Sequence, residues 1–185
     1  MFDIKPSSYG TTAYQVDSFG VPQTMYLWTD CGGEGWDTPD VWVNADTNEI
    51  IEDVPLGVGD ALFIQGTANT DTFLSSGQVC TDDAKVFLCN GGTLVGNPYP
   101  VDIKVNDIIA STYGTTLYKV DSFGIPQTMY LYTDCGGEGW DTPDVWVVAD
   151  TNEFISDEIL IEAGQGIFVQ ATDTKDYIEL PAPEL

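Results

Sequence analysis

The chain contains no histidine and no arginine, and its only basic side chains are five lysines: Lys5, Lys85, Lys104, Lys119 and Lys175. Without histidine there is no Ser-His-Asp or Cys-His nucleophile, and no His-ligated zinc, haem or copper site. Without arginine there is no bidentate clamp on phosphate. Thirty carboxylates oppose those lysines and leave a formal charge of −25. Such a field repels the nucleic-acid backbone and anionic lipid headgroups, so neither is an expected partner. Long apolar runs are missing as well. Stretches such as Ala61-Leu62-Phe63-Ile64 fall far short of the roughly 18 residues of a spanning helix, and no membrane insertion is expected. Met1-Phe2-Asp3 has neither the basic start nor the apolar run of a signal peptide. The chain reads either as cytosolic or as the mature form or a fragment of an exported protein.

What is present points to β structure. The chain is 43% hydrophobic, enough to build a core despite the charge. Its acid is mostly aspartate, 21 against 9 glutamates, and aspartate favours turns over helix interiors. With 19 glycines and 10 prolines, the composition predicts short strands joined by many turns.

The strongest signal is internal repetition. Tyr9 to Ile51 recurs as Tyr113 to Ile155 at an offset of 104 residues. Six of these 43 positions differ: Ala13/Leu117, Gln15/Lys119, Val21/Ile125, Trp28/Tyr132, Asn44/Val148 and Ile50/Phe154. All but two of the changes keep an apolar or aromatic residue, as packed positions require. Farther on, Gly59 to Gln65 matches Gly164 to Gln170 after a one-residue insertion, and Asp3-Ile4 pairs with Asp107-Ile108. The expected organisation is half A over residues 1–74, a connector over 75–104 and half B over 105–185. The connector has no counterpart after half B, so half B reads as a truncated repeat and, if the connector completes half A, as the half with an exposed edge; Thr81 to Lys85 reads as the turn of a β-hairpin within the connector. The expected fold is all-β and β-sandwich-like, its two repeated halves either packed as a pseudo-twofold sandwich or standing in a row.

Locally, Tyr14 and Val16 alternate with Gln15 and Asp17, which predicts a strand with the first pair on its apolar face. Thr24 to Thr29 is apolar or aromatic on both faces and suits a central strand. Val41-Trp42-Val43 reads as a short strand ending in the turn Asn44 to Asn48, with Trp42 and Trp146 in the core. Trp28/Tyr132 is expected to be a core or interface position that takes either ring. Asp157 to Ala163 is the one window that admits a short helix.

Candidate sites concentrate in one repeated loop. Thr29 to Asp40 recurs unchanged as Thr133 to Asp144. Each copy gathers four carboxylates in a glycine-rich segment: Asp30, Glu34, Asp37 and Asp40, then Asp134, Glu138, Asp141 and Asp144. Hard oxygen ligands on a loop that folds back on itself suit calcium, the one cofactor expected, although the spacing is not that of an EF-hand. The alternative is a solvated acidic loop whose aspartates cap turns. Trp36 and Trp140 in these loops can stack on a sugar ring, which makes a glycan a candidate ligand, or fold back as lids over the core. Paired carboxylates also hydrolyse glycosides, but that needs a general acid kept protonated by burial. Loops rich in glycine and like charge do the opposite, and no enzymatic activity is expected. Cys31 and Cys135 occupy equivalent loop positions, and Cys80 and Cys89 flank the expected hairpin turn. The four are disulfide candidates of undetermined connectivity, with free thiols as the alternative.

Gly96-Asn97-Pro98-Tyr99-Pro100-Val101-Asp102-Ile103, the strands around Trp42 and Trp146, and Gly164-Gln165-Gly166-Ile167-Phe168-Val169-Gln170 together resemble a β-rich repeat module of large secreted bacterial surface proteins. Half A departs from the last motif, with Asp60-Ala61 where the second glycine would stand. The resemblance implies an extracellular or cell-surface location and a non-catalytic module. On that basis the expected function is structural: self-association into a filament, surface layer or other assembly through β edges. The alternative is a calcium-dependent or glycan-binding adhesion module.

Overall fold

The computed structural model describes residues 4–16, 22–29, 41–51, 56–68, 72–74, 80–89, 91–120, 126–133, 145–156, 159–173 and 175–183. The chain is all-β: apart from one 3-10 turn at Val105–Asp107, every regular element among these residues is a strand. Among them no helix is long and apolar enough to cross a membrane. The strands fall into two units.

Unit 1 holds β1 (Lys5–Pro6), β2 (Thr12–Val16), β3 (Pro22–Thr29), β4 (Val41–Asn44), β5 (Phe63–Gln65) and β6 (Phe73–Leu74). Its main sheet has the order β4-β3-β2-β5, and β1 pairs with β6. Unit 2 holds β7 (Ala84–Phe87), β8 (Thr93–Gly96), β9 (Ile103–Lys104), β10 (Ile109–Ala110), β11 (Thr116–Val120), β12 (Pro126–Thr133), β13 (Val145–Val148), β14 (Leu160–Ile161), β15 (Gly166–Gln170) and β16 (Tyr177–Leu180), with Val58–Ala61 beside them. Its sheets have the orders β13-β12-β11-β15-β8, β10-β16-β7 and β14-β9. All pairings in both units are antiparallel.

The sequence repeat is a repeat of register. Tyr14 stands opposite Met25 and Phe63, and Tyr118 opposite Met129 and Phe168. The same irregularity follows Gln15 and Lys119. β3 and β12 are central strands, flanked on both sides, as their two-faced composition predicts. Trp42 and Trp146 are each 1% exposed. Their indole N–H groups donate to Ile4 O at 3.0 Å and Ile108 O at 2.7 Å. The buried polar tip of each ring is thereby satisfied while it ties the strand to the segment that opens its repeat. Trp28 and Tyr132 are core rings, tilted against Trp42 at 5.5 Å and Trp146 at 5.2 Å.

In unit 2 the core lies between the five- and three-stranded sheets, a sandwich-like arrangement. β7, β15 and β16 send alternate residues inward (Ala84, Val86; Ile167, Val169; Ile178, Leu180), as the two-residue pleat dictates.

Three local expectations change. The connector is not a hairpin: β7 pairs with β16 and β8 with β15, so the two strands enter different sheets of unit 2. Ala84 and Val86 face inward, so β7 lies in one sheet while β8 closes the edge of the other. Among the described side chains of β2 the buried one is Ala13, matched by Leu117 in β11, each 1% exposed. Tyr14 is half-buried, its ring resting on Phe63 at 5.9 Å. In the window that admitted a helix, Leu160–Ile161 instead forms β14 against β9.

Candidate functional site

The carboxylates Asp30, Glu34, Asp37, Asp40, Asp134, Glu138, Asp141 and Asp144 lie outside the described residues, as do Trp36, Trp140, Cys31 and Cys135. Among the described residues no group of three or more potential ligands could hold a metal ion. Cys80 and Cys89 are free thiols. With the expected hairpin replaced by a strand, the two cysteines flank opposite ends of β7. Its four residues alone extend about 10 Å, beyond the roughly 7 Å Cα separation a disulfide tolerates.

The motif around Pro98 is a structural staple. Asn97 is buried; its amide donates to the carbonyls of Val101 (2.9 Å), Ile161 (3.0 Å) and Glu162 (3.2 Å), and its oxygen accepts from Tyr99 N–H at 3.0 Å. Tyr99, 3% exposed, accepts from Ala84 N–H at 3.0 Å and offers its hydroxyl to Leu180 O (2.6 Å) and Asp82 O (2.9 Å). Burial pushes the Tyr99 hydroxyl above its ordinary pKa, against the lowering effect of the Ala84 hydrogen bond; Cys80, Asp83 and Asp82 reinforce the rise. Residues that bond this fully inside a core have no capacity left for a ligand.

Asp176 is a second staple, 3% exposed. It accepts from Thr112 Oγ1 (2.5 Å), Thr172 N–H and Oγ1 (2.8 Å each) and Asp173 N–H (2.8 Å). Burial alone would raise its pKa, but these hydrogen bonds outweigh it and hold the carboxyl below the ordinary value. Lys85 and Glu179 form an ion pair at 3.3 Å on an exposed face, with the ammonium 3.3 Å from the Tyr177 ring centroid. A pair in that setting adds little to stability.

The remaining feature is a difference between strand edges. The outer side of β4 is closed by the chain's own return, through Asn44 N–H to Glu49 O (2.9 Å) and Ile51 N–H to Trp42 O (3.0 Å). β13 is closed likewise by Val148 N–H to Glu153 O (2.9 Å) and Ile155 N–H to Trp146 O (3.2 Å). β15 is flanked by β8, whose far side meets Asp60 through its bridge to Val95. Among the described residues β5, the equivalent of β15, is the last strand of its sheet and is paired with β2 alone. Direction follows from the register. Gln165 O accepts from Asn97 N–H at 2.8 Å, so by alternation the peptide groups of Ile167 and Val169 also face β8. Their equivalents are Leu62, immediately before β5, and Ile64 within it, which by the same alternation present N–H and C=O outward. Nothing in the composition of Phe63-Ile64-Gln65 marks it as an edge. The connector points the other way in the sequence, to half B as the half with the exposed edge, if it completes half A; its strands pair instead with β15 and β16 of half B.

Compared with known proteins, the chain matches no family model, no curated protein and no solved structure.

Proposed function

We propose that the chain is a non-enzymatic extracellular structural module that assembles through strand pairing, with the β5 edge as its contact. One observation carries this reading: among the described residues β5 ends its sheet with outward backbone groups, whereas its equivalent β15 is covered by β8. An uncovered edge is a template for another strand. The missing histidine and arginine support a non-catalytic role, and the resemblance to secreted surface repeats supports the location. A twofold contact at this edge closes a dimer, and a head-to-tail contact propagates a filament.

Sedimentation velocity across a concentration series, with electron microscopy of the same samples, tests the proposal. The expected result is concentration-dependent oligomers in which the Leu62 and Ile64 amides become protected from hydrogen exchange. A monodisperse monomer at every concentration, with calcium or with chelator, would refute it.

A further inference from the structure

The main sheet of each unit carries the same four side chains on its outer face. Gln65 stands opposite Thr12 and Phe63 opposite Tyr14, as Gln170 stands opposite Thr116 and Phe168 opposite Tyr118. Ala13, Leu117 and Val169 are buried in the cores, so by alternation their neighbours point the other way. Tyr14 donates its hydroxyl to Gln65 Oε1 at 3.2 Å, and Tyr118 to Gln170 Oε1 at 2.8 Å; both bonds are exposed. Each tyrosine ring also leans on its phenylalanine, with centroids 5.9 Å apart.

Identity between the two copies is distributed against the usual rule here. Gly59 to Gln65 and Gly164 to Gln170 share three of seven residues: the glycine, the phenylalanine and the glutamine. The glycines answer to their positive φ. Phe63/Phe168 and Gln65/Gln170 face outward, whereas the residue between them packs inward and differs, Ile64 against Val169. The adjoining strands repeat the pattern. Thr12/Thr116 and Tyr14/Tyr118 are identical, and the inward residue between them differs, Ala13 against Leu117. Substitution at an exposed position ordinarily costs little stability, so packing holds such positions weakly. In these strands the core face has changed and the outer face has not.

The chemistry of the quartet suits a neutral ring that carries hydroxyls. It contains no charged side chain, in a chain of net charge −25, and so offers no partner to an ion. The tyrosine ring is already fixed at its hydroxyl and along its side, which limits the freedom lost on binding. Each glutamine spends its oxygen on the tyrosine, and its exposed amide N–H groups have no protein partner among the described residues. We infer that each unit binds a neutral glycan on the outer face of its main sheet. One pyranose ring stacks its C–H face on the electron-rich face of Tyr14 or Tyr118, and Gln65 or Gln170 donates to its hydroxyls. In unit 2 the tyrosine is the stacking ring, because Gly92 lies so close to Phe168 that a Cβ there would overlap the phenyl ring. The site uses side chains on the sheet face and not the backbone edge of β5, so it does not depend on the assembly proposed above.

Titration calorimetry of the intact chain with cellohexaose, xylohexaose, mannohexaose and maltohexaose, with NMR of the side-chain amides, tests the inference. At least one sugar should bind saturably at two sites per chain and shift the Gln65 and Gln170 amide resonances. Tyr14→Ala combined with Tyr118→Ala should weaken binding about tenfold or more. Gln65→Glu combined with Gln170→Glu keeps an oxygen for each tyrosine hydroxyl and removes the amide donors. Binding should then fall about tenfold at an unchanged melting temperature, a result that a merely structural quartet would not give. A chelator should change nothing, since no carboxylate belongs to the site. No shift at Gln65 and Gln170 with any of the four sugars overturns the inference. So does binding that survives the quartet variants and is lost in Trp36→Ala with Trp140→Ala, which would put the sugar in the acidic loops. Shifts at the two glutamines that follow protein concentration without sugar would assign the face to a second copy and overturn it as well. A monomeric chain that binds sugar through the quartet removes the assembly reading and keeps this one.

Discussion

Replacing Tyr99 with phenylalanine removes one oxygen and leaves the ring in place. That oxygen accepts from Ala84 N–H and shares its single proton between the Leu180 and Asp82 carbonyls. The hydrogen bond donated by the hydroxyl is worth about 1 kcal/mol net, and a buried N–H deprived of its acceptor costs about 1–3 kcal/mol. Ala84 is 2% exposed, so water does not replace the lost acceptor cheaply. The expected destabilisation of Tyr99→Phe is therefore about 2–4 kcal/mol. For a domain of this size that lowers the melting temperature of unit 2 by roughly 10 °C. Urea unfolding and calorimetry at pH 7 measure both quantities. The pH dependence supplies a second arm. The folded-state pKa of Tyr99 is raised, so above the ordinary tyrosine value of about 10 the unfolded chain loses this proton while the folded chain keeps it. Wild-type stability should fall as pH rises through that window towards the folded pKa, and the variant should lack this contribution, so the gap between them narrows. A loss under about 0.5 kcal/mol at pH 7, or a gap that widens above pH 10, would refute the reasoning.

Asp176→Asn should cost about 2 kcal/mol at neutral pH, because charge-assisted hydrogen bonds from Thr112 and Thr172 are weakened. The folded carboxyl titrates below its ordinary value, so its stabilisation is present above that value and lost as pH falls through the folded pKa. Acid unfolding of the variant should lack that step. Gly59 and Gly164 occupy equivalent turns with φ of +85° and +78°, but a Cβ on Gly59 would overlap Val86 Cγ2 and one on Gly164 would meet nothing within 4 Å. Gly164→Ala should cost about 1–2 kcal/mol from backbone strain alone, and Gly59→Ala about 1–3 kcal/mol more from overpacking, by chemical denaturation. Asn97→Ala should destabilise by about 2–3 kcal/mol, because carbonyls of Val101, Ile161 and Glu162 lose their shared donor. Loss of ligand binding without loss of stability would contradict its role as a staple.

Much of the fold was legible in local pattern. Period-two alternation, the apolar Thr24 to Thr29 stretch and the turn composition after Trp42 identify strands because a pleated chain half-buried in a sheet demands those patterns. The Asn44/Val148 difference leaves the main-chain bond of the turn in place, since Asn48 N–H and Asn152 N–H each reach the carbonyl four residues earlier at 2.8 Å, although only the Asn44 side chain can also accept from Asp46 and Thr47 N–H. The inward face of β2 was less legible. Ala13 and Tyr14 compete for it, and only the neighbouring sheet determines that the small residue faces the interior. Asn97 and Tyr99 stood out as a motif, but their role depends on carbonyls more than sixty residues away.

By itself the sequence determined the β class, the duplication and the exclusion of histidine- and arginine-dependent chemistry, since composition and repetition are properties of the chain alone. The tertiary structure decided where the connector belongs. Pairing is a long-range choice, made by which apolar faces and strand edges meet, and no local pattern in residues 80–104 states that β7 and β8 enter separate sheets of unit 2. That choice covers β15 in one copy of the repeat and, among the described residues, leaves β5 in the other with a strand edge unpaired.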